Sequence, residues 1–260
     1  AGATVCTQVQ AGYYAVSTVD GTTATNSAAV DETACPSGRY SSAGATVCTQ
    51  VQAGYYAVSA IGGTTATNSA AVDQTACASG TYSSAGATVC TQVQAGYYAV
   101  STSGGTTATN SAAVDESICT VGTFSAAGAS ACTTAQLGYF TVDSGGNALS
   151  SPWEGAVAQA QAGEGFFTVD SNGDAADSGA VGVQQAQSGY YTVTALAGTT
   201  ATAAGAVDEA QAAAGYYTVD STDAAKDGGA SDVEPCASGY YSGVGATVCT
   251  QVQAGYYAVS

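Results

Sequence analysis

The chain has 260 residues, of which 34 are Gly and 17 are Tyr, and it contains neither His nor Met. Arg39 and Lys226 are its only cationic side chains against 19 Asp and Glu, so the formal net charge is −17. So acidic a surface repels phosphate groups, which argues against nucleic acids and anionic membranes as partners. Without His, neither a Ser-His-Asp nor a Cys-His arrangement can be built, and we expect no enzymatic activity and no catalytic residues.

The dominant feature of the sequence is an internal repeat. The segment AGATVCTQVQAGYYAVS occupies residues 1–17 and recurs unchanged at 43–59 and 85–101, and residues 245–260 repeat all of it except the first Ala. The first three copies share a period of 42 residues. Self-similarity at a fixed period is typical of repeat architectures, in which each unit buries its apolar face against its neighbours.

The repeats divide the chain into three segments. Residues 1–137 alternate long and short units, residues 138–235 are consecutive long units without Cys, and residues 236–260 return to the cysteine-bearing repeat. Because the chain opens and closes in mid-repeat, we expect the natural protein to continue beyond both ends.

Each unit predicts a β-hairpin. A segment such as YYAVS at 13–17 alternates its side chains between the two faces of a strand, and an Asp-Gly, Gly-Gly or Asn-Gly dipeptide marks the turn that follows. A two-stranded hairpin is only marginally stable alone, so it must stack on its neighbours. The sequence therefore predicts an all-β fold, an elongated, rod-like or solenoid-like tandem array of short hairpins, some clipped by disulfides and some free of Cys.

Most of the units begin with a pair of aromatic residues after Gly. Strand alternation predicts that one ring of each pair packs inward and that the other faces outward or towards a neighbouring chain. The predicted structural aromatic residues are Tyr14, Tyr56, Tyr98, Tyr191, Tyr217 and Tyr257.

The nine cysteines follow a regular pattern, in which four pairs with the spacing C-x12-C bracket the short units. Disulfides closing such loops would contribute about 3 kcal/mol each and imply an oxidising compartment. Pairing across the long units, as in Cys6 with Cys35, is the alternative, and Cys6 otherwise needs a partner before residue 1. Zinc is disfavoured because the chain has no His and no C-x-x-C. The bracketed pairs are Cys35 with Cys48, Cys77 with Cys90, Cys119 with Cys132, and Cys236 with Cys249.

The short unit CPSGRYSSAGATVC, at residues 35–48, resembles the ephrin-receptor-like cysteine-rich repeat of the tumour-necrosis-factor-receptor type. The pattern of that family is C-P-x-G-x-Y-S-x-x-G-x-x-x-C-x-x-C, and the copies at 77–90, 119–132 and 236–249 resemble it closely. This chain departs from the pattern at the third Cys, where Val51, Val93 and Val252 stand. The resemblance implies extracellular, rod-forming modules of surface and appendage proteins, and it implies no particular ligand.

One segment offers a candidate metal site. Asp170, Asn172, Asp174 and Asp177 have the spacing that opens a calcium loop, but residue 175 is Ala and residue 181 is Val, where that loop has Gly and Glu. An ordinary hairpin turn rich in Asp, Asn and Gly is the alternative. Calcium is thus the only candidate cofactor.

These features favour a structural subunit of an extracellular filament or surface appendage, whose partners are further copies of itself. The Ser- and Thr-rich strands are candidates for O-linked glycans, whereas Asn26, Asn68 and Asn110 are each followed by Ser-Ala and form no N-linked sequon. No apolar run is long enough to span a membrane. The alternative is an adhesive or receptor-type stalk that binds glycan or protein through exposed Tyr.

Overall fold

The computed structural model describes residues 5–257, so the outermost residues of the segments 1–137 and 236–260 lie outside it. The chain divides into two compact units, which are distinct from the repeat units of the sequence. The first unit is formed by the residues up to Ser117 with Ala127–Ala131, and the second unit by Ile118–Ala126 with the residues from Cys132 onward. Residues 5–257 form 22 strands and no helix, and hence no helix that could cross a lipid bilayer. The fold is an all-β tandem array of hairpins, as predicted.

Strands pair with their neighbours in chain order, and each pair forms a separate two-stranded sheet. The long hairpins, with four-residue strands, are β1 (Tyr13–Val16) with β2 (Asp31–Ala34), β5 (Tyr55–Val58) with β6 (Asp73–Ala76), β9 (Tyr97–Val100) with β10 (Asp115–Ile118), β13 (Tyr139–Val142) with β14 (Ala158–Gln161), β15 (Phe166–Val169) with β16 (Gly182–Gln185), β17 (Tyr190–Val193) with β18 (Asp208–Gln211), and β19 (Tyr216–Val219) with β20 (Asp232–Pro235). The short hairpins, with two-residue strands, are β3 (Arg39–Tyr40) with β4 (Thr49–Gln50), β7 (Thr81–Tyr82) with β8 (Thr91–Gln92), β11 (Thr123–Phe124) with β12 (Thr133–Thr134), and β21 (Tyr240–Tyr241) with β22 (Thr250–Gln251).

A long hairpin contains a third extended segment besides its two strands. After β5 the chain turns at Gly62, whose φ of +65° suits a residue without a Cβ. It then runs back along β5, so that Ala66 forms an antiparallel bridge with Val58 before β6 begins. This returning segment, residues 64–67 in this hairpin, is called the return loop below. Because it lies beside the first strand, Ala57 and Val58 are completely buried.

Backbone contacts join the first strand of one hairpin to the next hairpin along the chain. In the first unit, the amide of Ser41 donates a hydrogen bond of 3.0 Å to the carbonyl of Ala71, and Tyr40 forms a parallel bridge with the same alanine. Ala71 also belongs to a buried cluster with Val51 and Ala57, against which Tyr40 packs. Each cluster therefore needs residues from two neighbouring hairpins, which is why a thin hairpin gains stability by stacking.

Hairpins two apart in the chain also approach each other closely. A Cβ on Gly38 would overlap the carbonyl oxygen of Gly86, and the same relation holds between Gly165 and Gly229 in the second unit. Only Gly allows two backbones to come so near. The Gly that opens such a hairpin is thus a packing residue as well as a turn residue, except at Gly215, Gly239 and Gly255, where a Cβ would meet nothing within 4 Å.

Candidate functional site

The most regular feature of the chain is the interface between successive hairpins, and one buried position recurs in it. This position, the joint slot, directly precedes the turn into the next Gly-aromatic segment. Cys35, Val51 and Ala162 occupy it in three different hairpins, and each is at most 1% exposed. Their amides donate hydrogen bonds of 2.8–2.9 Å to the carbonyls of Gly12, Gly38 and Gly138, respectively.

The joint slot explains how hairpins with and without cysteine share one architecture. Val51 and Val93, which stand where the resembled family has its third Cys, both lie in the slot. The slot holds Ala in the cysteine-free hairpins, as at Ala186 and Ala212. Because a backbone hydrogen bond fixes the position, the side chain need only be small and apolar.

The disulfides connect this slot to the residue directly before the second strand of each short hairpin. The structure joins Cys35 to Cys48, Cys77 to Cys90, Cys119 to Cys132, and Cys236 to Cys249, with Cα–Cα distances of 5.7–5.8 Å. These are the pairs that bracket the short units. Cys6 is exposed and unpaired among the described residues.

A second recurring position, called here the cap position, lies just before an alanine whose carbonyl accepts a backbone amide of the preceding hairpin. It always has a left-handed backbone, as at Gly86 (φ 81°), Ala112 (φ 50°) and Gly205 (φ 66°). The amides of these residues donate to the carbonyls of Val51, Cys77 and Ala162, which are all in the joint slot. This position was not predicted from the sequence, although the recurring Gly-Ala dipeptides, as at Gly205-Ala206, are a visible signal.

Serine hydroxyls make another contact between hairpins, which was not predicted from the sequence. The Oγ of Ser41 donates to the carbonyl of Tyr13, and that of Ser83 donates to the carbonyl of Tyr55, both over 2.8 Å. Both serines are 4% exposed. The Ser after the aromatic residue of a short hairpin is therefore part of the interface.

The aromatic pairs are divided between the core and the return loop. In β5, Tyr55 packs against the buried cluster, whereas the hydroxyl of Tyr56 donates to the carbonyl of Thr64 over 3.1 Å. Tyr14, Tyr98 and Tyr191 bind the carbonyl of the first Thr of their own return loops in the same way. In these four long hairpins the second ring thus holds its own return loop.

The exposure of the predicted structural aromatic residues varies along the chain. Tyr191 is 7% exposed, Tyr257 is 84% exposed, and Tyr14, Tyr56, Tyr98 and Tyr217 are half-buried. Tyr257 therefore has no packing role among the described residues. The simple inward and outward alternation is modified in the other hairpins because the return loop covers part of the outward face.

Carboxylates near the start of the second strand accept hydrogen bonds from the backbone. Asp31 accepts the amides of Asp20 and Glu32 at 3.0 and 2.9 Å, and Glu32 accepts the amide of Gln10 at 2.8 Å. The amides of Asp20 and Glu32 hold the pKa of the Asp31 carboxyl below its usual value. Asp31 thus connects the hairpin tip to the start of the second strand, and Glu32 connects the second strand to the segment that precedes the first.

The candidate calcium residues form a hydrogen-bonded turn. Asp170 accepts the amides of Asn172 and Asp174 at 2.8 and 3.0 Å and the side-chain amide of Asn172 at 3.2 Å. Asp177 accepts a hydrogen bond from the Ser178 hydroxyl instead. Asp143 and Asp220 close equivalent turns in other hairpins. Across the described chain, no three His, Cys, Asp or Glu side chains are grouped to hold a metal ion, so the calcium site stays a prediction without supporting geometry.

Glu164 links hairpins two apart in the second unit, a contact that has no sequence signal. Its Oε1 accepts the amide of Ser221 at 2.6 Å and the hydroxyl of Ser231 at 3.0 Å. The amide and hydroxyl of Ser221, followed by the hydroxyl of Ser231, lower the pKa of this carboxyl.

No protein-family model matches this chain, and no curated protein matches it significantly. The resemblance of its short units to the ephrin-receptor-like repeat therefore rests on the quoted residues alone.

Proposed function

We propose that this chain is a structural subunit of an extracellular filament or surface appendage, built from stacked repeats and without enzymatic activity. One observation carries the proposal: the same interface of joint slot, cap position and Gly-aromatic segment recurs in both units. It uses backbone hydrogen bonds and small side chains such as those of Cys35, Val51 and Ala162. An interface with so few requirements can be repeated many times at similar stability.

The disulfides support a location outside the cell or on its surface. Bonds such as Cys35–Cys48 and Cys77–Cys90 persist in oxidising compartments and are rare in the cytosol. The resemblance to an extracellular repeat family points to the same location. The net charge of −17 keeps long arrays dispersed by like-charge repulsion until specific contacts form.

The tyrosines of the first unit favour the filament over an adhesive stalk, whereas Tyr216, Tyr240, Tyr241, Tyr256 and Tyr257 are exposed. The hydroxyls of Tyr14, Tyr56 and Tyr98 are bound to their own return loops, and Tyr55 and Tyr97 pack against buried clusters. A stalk that recognised ligands through Tyr would need these rings and hydroxyls free for binding. The copies of the chain itself are therefore the proposed partners, with O-linked glycans on the exposed loops.

Electron microscopy of the native, disulfide-intact protein tests this proposal. We expect ordered fibres whose diffraction shows a regular axial repeat. Isolated stalks that bind a glycan array would contradict the filament and support the adhesive alternative. A hydrolase or transferase activity that copurifies with the homogeneous protein would contradict the absence of catalysis.

A further inference from the structure

Four return loops share the sequence Thr-Thr-Ala-Thr, and the hydroxyl of the third Thr differs from those of the first two in its hydrogen bonding. The loops lie at residues 22–25, 64–67, 106–109 and 199–202. All four follow the exposed tip of a long hairpin, and in each the Ala forms a bridge to the Val that ends the first strand. The loops are therefore equivalent positions of one scaffold.

The third Thr of each loop uses its hydroxyl within the fold. The Oγ1 of Thr25 donates to the carbonyl of Ser27 over 2.7 Å and accepts the amide of Ser27 at 3.3 Å. The same tight turn is closed by the third Thr of the other loops, namely Thr67, Thr109 and Thr202. A hydroxyl engaged as both donor and acceptor is a poor nucleophile, and these third residues are only half-exposed.

The first two threonines have free hydroxyls on a fixed backbone. The side chains of Thr22 and Thr23 are exposed, and neither hydroxyl has a hydrogen-bond partner among residues 5–257. Their carbonyls are nevertheless bound, that of Thr22 by the Tyr14 hydroxyl at 3.1 Å and that of Thr23 by the amide of Ser17 at 3.1 Å. The loop thus presents two hydroxyls from a defined, extended segment.

The geometry of this segment leaves room for a substituent on each Thr. Consecutive side chains of an extended chain point to opposite faces, so groups on Thr22 and Thr23 would not collide. Ser27 also has an exposed side chain, but it lies inside the turn that Thr25 closes, and its equivalent in the fourth loop is Ala204. The Thr pair is the feature that all four loops share.

We infer that the first two threonines of these loops are acceptor sites for O-linked sugars, and that the third is not. The sites are Thr22 and Thr23, Thr64 and Thr65, Thr106 and Thr107, and Thr199 and Thr200. This inference rests on the proposed extracellular function, because a secreted protein meets glycosyltransferases during export. It adds which hydroxyls accept sugar and gives the structural reason for the choice.

The reaction requires a nucleotide-activated sugar as co-substrate. The Thr Oγ1 forms a bond to the anomeric carbon, the bond from that carbon to the phosphate oxygen breaks, and the nucleotide leaves with the electron pair. The hydroxyl proton passes to a base of the transferase. No redox change occurs, and this chain supplies only the acceptor hydroxyl.

Peptide mapping of the native protein tests the assignment. Cleavage before Asp releases residues 20–30 (DGTTATNSAAV), whose only hydroxyl side chains are Thr22, Thr23, Thr25 and Ser27. Electron-transfer fragmentation should locate sugar mass on Thr22, Thr23 or both, and none on Thr25. An unmodified peptide, or sugar on Thr25 or Ser27 alone, would overturn the inference.

Matched variants expressed in the native host separate acceptor sites from structural effects. Thr22→Ala with Thr23→Ala should remove all sugar mass from this peptide and leave the disulfides and the protein's melting temperature unchanged. Thr25→Ala should retain the sugar although it removes the turn hydrogen bonds. Sugar loss in Thr25→Ala at an intact Thr pair would contradict the assignment. Fibres formed by unglycosylated protein would leave the filament proposal standing while this inference fails.

Discussion

The position that a Cβ on Gly165 would occupy is filled by the carbonyl oxygen of Gly229, two hairpins further along the chain. Gly165 also has a left-handed backbone, with φ +74°. Both constraints recur between Gly138 and Gly205. The close contact between alternate hairpins in the second unit therefore depends on the missing side chain.

Gly165→Ala should destabilise the second unit by at least about 2 kcal/mol. The new Cβ would overlap the Gly229 backbone, and Ala would also be strained in the left-handed conformation. Hydrogen exchange of the Gly229 amide, which is bound to the carbonyl of Ala186, reports the loss locally. Gly163→Ala is a matched control two residues away, where a Cβ meets nothing within 4 Å. We expect it to change the stability by less than about 0.5 kcal/mol. Equal effects of the two variants would contradict the packing role of Gly165.

Ala112→Gly should stabilise the first unit by about 0.5–1 kcal/mol. Ala112 occupies the cap position with φ 50°, a conformation that costs an L-residue about 1–2 kcal/mol, and part of the gain is offset by the greater freedom of Gly in the unfolded chain. The thermal midpoint and the exchange rate of the Ala112 amide measure the gain.

Ala113→Gly is the control for this variant. Ala113 is buried, bridges to Tyr82 and has no left-handed backbone, so its replacement should destabilise the unit by about 1 kcal/mol. If Ala112→Gly were as damaging as Ala113→Gly, the strain assigned to the cap position would be wrong.

The hairpins were predictable because their signals are local. The pair Tyr55-Tyr56, the turn at Gly62 and the C-x12-C spacing each act within a few residues, and the structure contains the hairpins and bonds that they indicate. The cap position was not predicted because a Gly-Ala dipeptide does not indicate which carbonyl of another hairpin will accept its amide hydrogen bond. The roles of Tyr56 and Glu164 were missed for a similar reason, since each depends on a segment that folds back from elsewhere.

Thr141→Val should stabilise the second unit by about 1 kcal/mol. Thr141 is completely buried, and its Oγ1 has no hydrogen-bond partner among the described residues. A buried hydroxyl without a partner costs about 1–3 kcal/mol, and Val replaces it with a methyl group of similar size. Differential scanning calorimetry of the two proteins checks the gain.

Thr168→Val is the matched control for this comparison. Thr168 occupies the equivalent place in the next hairpin and is equally buried, but its hydroxyl donates to the carbonyl of Ala176 over 2.6 Å. Its replacement should therefore destabilise the unit by about 1 kcal/mol. A loss of stability in both variants would show that the Thr141 hydroxyl is hydrogen-bonded in solution.

Acid should loosen the turn that Asp170 closes. The amides of Asn172 and Asp174 lower the pKa of this carboxyl, so its stabilising effect is present above the ordinary Asp pKa of about 3.9 and is lost as the pH falls through the lower, folded pKa. The amide chemical shifts of Asn172 and Asp174, followed by NMR from neutral to acidic pH, should titrate together with a midpoint below that ordinary value.

Two variants isolate the Asp170 carboxylate as the titrating group. Asp170→Asn keeps an acceptor oxygen but cannot ionise in this range, so the amides of residues 172 and 174 should lose their shared titration. Asp174→Asn leaves the Asp170 acceptor in place and should preserve it. If the shared titration survived in Asp170→Asn, another group would control the turn. If instead added calcium shifted these amides with saturation in the unmodified protein, the turn would bind a cation despite the inward hydrogen bonds of Asp170.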